Sequence, residues 1–62
     1  MNVGDIIEFQ ERIVLAGARA VIRRISKRTG TLTVELIENR YAYKKGDTVH
    51  VAQHEVKRVP NG

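Results

Sequence analysis

The chain contains no cysteine and no tryptophan, a single proline at position 60, and only one phenylalanine and two tyrosines. Without cysteine, neither a disulfide framework nor a thiolate metal site can supplement the fold, a composition at home inside a cell. Stability has to come from packing alone. A chain of 62 residues buries only about 60% of the surface its unfolded form exposes, so the core is small. Long apolar runs are missing too: none approaches the roughly 20 residues that a membrane span needs. The opening Met1-Asn2-Val3-Gly4-Asp5 lacks the charged and apolar regions of a signal peptide. A soluble, cytoplasmic, single-domain protein (residues 1–62, core about 3–59) with no membrane partner is therefore expected.

Acidic charge is the scarcer sign. Eleven Lys and Arg stand against seven Asp and Glu, a net charge of +4 that favours anionic partners. The imbalance is concentrated between positions 19 and 28, where Arg19, Arg23, Arg24, Lys27 and Arg28 occur without an intervening acid. Neighbouring arginines on a strand repel one another unless something anionic lies opposite.

Helical periodicity is also absent. The best helical stretch, residues 13–24, is interrupted by Gly17 and is rich in β-branched residues. What is present instead is a regular punctuation by Gly4, Gly17, Gly30 and Gly46 around short alternating runs, the rhythm of a small all-β domain. A first strand over residues 5–9 sets Val3, Ile7 and Phe9 on one face, with Asp5 and Glu8 nearer solvent. Over 18–26, alternation turns Ala18, Ala20 and Ile22 inward and Arg19 and Arg23 outward. Ile25 then falls three residues after Ile22, and a β-bulge near Arg23-Arg24 restores the face. Lys27-Arg28-Thr29-Gly30 forms a tight hairpin with Gly30 at positive φ. In the next strand, 31–37, Leu32, Val34 and Leu36 share one side. A polar loop over 38–47 leads to a strand at 48–51. A 3₁₀ turn at 53–56 precedes a short closing strand at 57–59, stopped by Pro60. The expected core is Val3, Ile7, Phe9, Ala20, Ile22, Ile25, Leu32, Val34, Leu36, Val49, Val51, Val56 and Val59. Five strands with a 3₁₀ turn before the last are the order of a small SH3-like barrel.

Several of these residues together resemble a known group. The opener Val3-Gly4-Asp5-Ile6-Ile7-Glu8-Phe9, the spaced Ala20-x-Ile22-x-x-Ile25 before a turn, Thr33-Val34-Glu35-Leu36, and Val51-Ala52-Gln53-His54 before a short basic strand look like the small YkvS-type proteins of Gram-positive bacteria. The resemblance implies an SH3-like barrel in the broad company of the KOW and translation-protein barrels. It transfers no function, because the group has no agreed one. A bacterial, phage or plasmid origin is equally compatible.

Three features bear on function. In the first, Arg19 and Arg23 on the outer face of the second strand, Arg24 re-aimed by the bulge, and Lys27 and Arg28 in the turn can track a phosphate backbone, since guanidinium groups grip phosphates bidentately. The alternative is a solvated face that blocks edge pairing. In the second, Arg40-Tyr41-Ala42-Tyr43-Lys44-Lys45 sets two rings among cations, the combination in which bases stack while phosphates meet Lys and Arg. Alternation puts Tyr41 and Tyr43 on one side, and either ring stacks on a base or lids the end of the barrel. In the third, Ile13, Val14, Leu15 and Ala16 form an apolar run that is either an exposed surface for homodimerisation or a protein partner, or is packed on the barrel by a continuing first strand.

The sequence offers no catalytic constellation: Ser26 has no partnered histidine, and the carboxylates are scattered. His50 and His54 are four apart but are separated by a strand and a turn, so neither a metal nor a cofactor is expected. A small-molecule substrate would find almost no interior to occupy. The leading expectation is a nucleic-acid-binding protein, RNA or DNA, acting as an accessory factor in transcription or translation. The rivals are a protein-interaction module built on residues 13–16 and a phage-encoded inhibitor of a host protein.

Overall fold

The computed structural model describes residues 1–11 and 14–60. Five strands are present: β1 (Ile6–Phe9), β2 (Arg19–Ile25), β3 (Thr31–Leu36), β4 (Thr48–Ala52) and β5 (Val56–Arg58), with a 3₁₀ turn at Gln53–Glu55 before the last. They form one antiparallel sheet in the order β4-β3-β2-β1-β5. No α-helix occurs among the described residues. The element order expected for an SH3-like barrel is thus the one observed.

Local chemistry explains the turns. Gly17, at φ +87°, allows the chain to fold back so that its N–H donates to the Phe9 carbonyl at 2.9 Å and the Phe9 N–H donates to the Ala18 carbonyl at 3.0 Å. A residue with a Cβ resists that φ, and residues 14–17 form this turn rather than helix. At the other end of β2, the Ser26 N–H donates to the Thr31 carbonyl at 2.9 Å and the Ser26 carbonyl accepts from Gly30 N–H at 2.8 Å. Gly30 there has φ +75°. Between Ile22 and Arg24 the register shifts: Ile22 lies opposite Val34 and Arg24 opposite Thr33. Arg23 is the extra residue, and the bulge is what lets Ile22 and Ile25 face the same way across a three-residue gap.

Among the described residues no α-helix covers the sheet, so the sheet covers itself. Its inner side chains meet in one cluster of Ile7, Phe9, Leu15, Ala18, Ala20, Ile22, Leu32, Val34, Leu36, Val49, Val51 and Val56, with Ile25 and Tyr43 packed against it. A radius of gyration of 10.6 Å and extents of 31 × 27 × 20 Å fit a sheet coiled about that cluster.

Two expectations about the core need correction. Val3 is 62% exposed: it lies in a turn closed by Asp5 N–H on the Asn2 carbonyl at 3.1 Å, outside β1, where strand alternation does not apply. Val59 is half-buried beyond the end of β5. Leu15 is the larger surprise. It is 1% exposed, while its neighbour Val14 is 47% exposed. Residues 14–17 form a turn instead of a continuation of β1, and a turn sends adjacent side chains in different directions, one into the core and one into water. Ile13, the other residue of the suggested docking surface, lies outside the described residues.

Two substitutions test this packing. Val34→Asp, which places an unpaired charge at a fully buried position of β3, is expected to abolish the cooperative unfolding transition. Leu15→Ala is expected to cost about 2–5 kcal/mol in urea titrations, against less than about 0.5 kcal/mol for Val14→Ala. Equal, small effects at the two positions would show that Leu15 is not part of the core.

Candidate nucleic-acid interface

The basic stripe of β2 is not a row of bare charges. Glu8 on β1 lies opposite Arg19 on β2 and Lys57 on β5, and its carboxylate stands 4.0 Å from Arg19 Nε and 3.8 Å from Lys57 Nζ. Arg23 Nε is 3.4 Å from Glu35 Oε1, and its Nη2 donates to Oε2 at 3.5 Å. Arg58 Nε meets Asp5 Oδ2 at 3.7 Å. The anions opposite the arginines are glutamates of the neighbouring strands, so Arg19 and Arg23, though exposed, are already partly neutralised. Such exposed pairs stabilise by only about 0–1 kcal/mol, but a phosphate must displace or share them. Nor do these charges guard an edge, because β2 is paired on both sides.

The cations that remain fall into two groups. Among the described residues no carboxylate stands within ion-pair distance of Arg24, Lys27, Arg28, Lys44 or Lys45. Lys27 and Arg28 lie in the β2–β3 turn and Lys44 and Lys45 in the β3–β4 loop, at opposite ends of β3, whose six residues span about 20 Å, while Arg24 lies opposite Thr33 within the strand. The ten residues singled out in the sequence therefore do not converge on one patch.

At the hairpin end, the turn residues' hydroxyl groups bond one another. Thr29 Oγ1 is 3.1 Å from Ser26 Oγ and 3.0 Å from Thr31 Oγ1. Further along the same face, Thr33 Oγ1 is 3.1 Å from His50 Nδ1. Sequence reading had no reason to join Thr33 to His50, because 17 residues separate them.

At the other end, the β3–β4 loop is pinned in place. Lys44 N–H donates to Asp47 Oδ2 at 2.9 Å, and Lys45 N–H donates to Asn39 Oδ1 at 2.8 Å. Arg40 and Tyr43 exchange both backbone hydrogen bonds at 2.9 Å, which closes a two-residue turn of Tyr41 and Ala42. That turn overrides simple alternation, so the two rings do not share a side. Tyr43 is half-buried against the core and lids this end of the barrel. Tyr41 is 82% exposed and, at φ +53°, is the one non-glycine residue with positive φ among those described. A bulky side chain in that region is strained. Arg40 is held inward: its Nε is buried with no hydrogen-bond partner, and its Nη2 lies 3.1 Å from where a Cβ on Gly17 would stand. It is less free to meet a phosphate than Lys44 or Lys45, both of which are exposed.

Among the described residues, no three His, Cys, Asp or Glu side chains gather where they could hold a metal ion, and no helix is long and apolar enough to cross a membrane. Compared with known families, curated proteins and solved structures, the chain matches none.

The strain at Tyr41 makes a stability prediction opposite to the usual one for an aromatic. Tyr41→Asn is expected to raise stability by about 1 kcal/mol, because asparagine tolerates left-handed backbone and an exposed ring loses no packing. Tyr43→Ala should instead lower it. A destabilised Tyr41→Asn variant in urea titrations would mean that the ring is packed.

Proposed function

We propose that the protein binds nucleic acid, holding phosphates with its unpaired cations and stacking a base on Tyr41. The observation that carries this reading is Tyr41 itself: an 82% exposed ring on strained backbone, at the tip of a pinned loop, beside the unpaired Lys44 and Lys45. Backbone strain persists where the surrounding structure enforces it, and it concentrates at sites that do work. Base stacking needs an exposed, immobilised ring face, and neighbouring cations supply the phosphate attraction. The hairpin cations Arg24, Lys27 and Arg28 extend the same strand of nucleic acid toward the other end of the sheet. A role as an accessory factor in transcription or translation is consistent with this.

The protein-interaction reading is the weaker one. With Leu15 in the core, the run at 13–16 retains Val14 and Ala16 as exposed apolar residues among those described. Two small side chains fall well short of the few hundred Å² that mark a docking patch.

Fluorescence anisotropy with labelled single-stranded RNA and DNA across a salt series separates the two. Replacing Arg24, Arg28, Lys44 and Lys45 with Gln is expected to lower the salt slope by about 0.7 per lost contact, while Arg19→Gln lowers it less. Tyr41→Ala and Tyr41→Asn should each weaken single-strand binding by about 1–3 kcal/mol, the latter in a protein that is more stable than the original. If the unaltered protein binds neither single strands nor duplexes at low salt, the cations are solvated surface and the protein-partner reading replaces this one.

A further inference from the structure

We propose that Arg24, Thr33 and His50 form a phosphodiester-binding row across three strands, and that protonation of His50 switches the row on. The inference rests on the nucleic-acid reading above and assigns it a contact that involves no residue of the Tyr41 loop.

The row follows from register. Arg24 lies opposite Thr33, and Thr33 lies opposite His50. Residues directly opposite in an antiparallel sheet point to the same face. That face is the outer one, because Leu32, Val34, Val49 and Val51 on either side are buried. With strands about 4.8 Å apart, the three side chains cover about 10 Å, the scale of one backbone phosphate and its neighbour. The bulge is what aims Arg24 here: if residues 22–24 continued in regular alternation from the inward Ile22, Arg24 would point toward the core face.

Thr33 Oγ1 and His50 Nδ1 are 3.1 Å apart. When Nδ1 carries no proton, the Thr33 hydroxyl makes this bond by donating its hydrogen to the ring, so the hydroxyl offers an approaching anion only lone pairs and the neutral ring offers Nε2–H without a charge. When the ring takes up a proton from water, Nδ1–H becomes the donor and Oγ1 the acceptor. The hydroxyl hydrogen is then free to turn outward, and the ring carries a full positive charge. One protonation thus adds a donor and a charge beside the Arg24 guanidinium.

The neighbouring charges favour coupling between proton and phosphate. β4 is an edge strand paired with β3 alone, and the strand residues placed around His50 by register come from β3 and from its own strand. On β3 these are Thr33, with Thr31 and Glu35 diagonal to it, and the Glu35 carboxylate is engaged by Arg23. On β4 they are Thr48 and Ala52. Glu55, in the turn that follows, accepts the Ala52 N–H at 3.0 Å. Arg24, one strand beyond Thr33, opposes the charged ring until an anion lies between them. A bound phosphate relieves that repulsion, so phosphate raises the affinity for the proton and the proton raises the affinity for phosphate by the same factor.

The test is anisotropy with a fluorescein-labelled oligothymidylate, with salt slopes taken at about pH 5.5 and about pH 8, on either side of the range in which histidine changes charge. The unaltered protein is expected to show a slope steeper by about 0.7 at the lower pH, one additional single-strand contact. His50→Gln should show the high-pH slope at both, with an unchanged circular dichroism spectrum. His54→Gln, the control for the added charge, should keep the full difference. Equal slopes at the two pH values, or a difference that survives in His50→Gln or disappears in His54→Gln, overturn the row and leave nucleic-acid binding standing. No binding at either pH overturns both. Inorganic phosphate that shifts the His50 imidazole resonances as strongly as the oligonucleotide does would also overturn the proposal, in favour of a free-anion site.

Discussion

A single sheet with no helix to shield it has to bury one face against itself, and nearly every other property of this molecule follows from that constraint. Twelve side chains from all five strands and the β1–β2 turn meet in one cluster, which a flat sheet could not arrange. Coiling requires sharp local bends. The bulge between Ile22 and Arg24 supplies one, and Gly17 and Gly30 at positive φ supply the reversals at the two ends of β2. The bulge has a second effect: the residue that bends β2 also turns Arg24 outward to lie beside Thr33. A packing requirement and a surface property thus share one extra residue.

The same geometry decides which charges are available. Strands bring cation and anion side by side in fixed register, and the middle of the outer face uses this to neutralise itself through Glu8, Glu35 and Asp5. Away from those pairs, the side chains of Arg24, Lys27, Arg28, Lys44 and Lys45 make no ion pair among the described residues. The cations without an ion pair therefore lie in the two loops and at Arg24, away from the paired centre of the outer face. Field lines from such an arrangement favour an extended polyanion over a compact one.

Tyr41 and Tyr43 show how one short turn can separate two chemically identical residues. Tyr43, backbone-paired with Arg40, is drawn against the core; Tyr41, at the tip, is driven into left-handed backbone and out into solvent. The first ring is accounted for by packing, while the second is exposed on left-handed backbone, which is why it carries the functional reading.

Much of the fold was legible in the chain because it depends on local periodicity. The alternation of Leu32, Val34 and Leu36, the three-residue step from Ile22 to Ile25 that required a bulge, Gly30 in its hairpin and the 3₁₀ turn before β5 are all statements about residues within a few positions of one another, and the structure has each of them. The candidate site was legible only as a set of residue types. That Glu8 sits between Arg19 and Lys57, that Glu35 occupies Arg23, that Thr33 meets His50, and that the cations of 24–28 and 44–45 lie at opposite ends of β3 are consequences of strand order and register, which join positions far apart in sequence. Leu15 was lost for a related reason: a turn has no side-chain period, so only the packed sheet could decide that Leu15 points inward and Val14 outward.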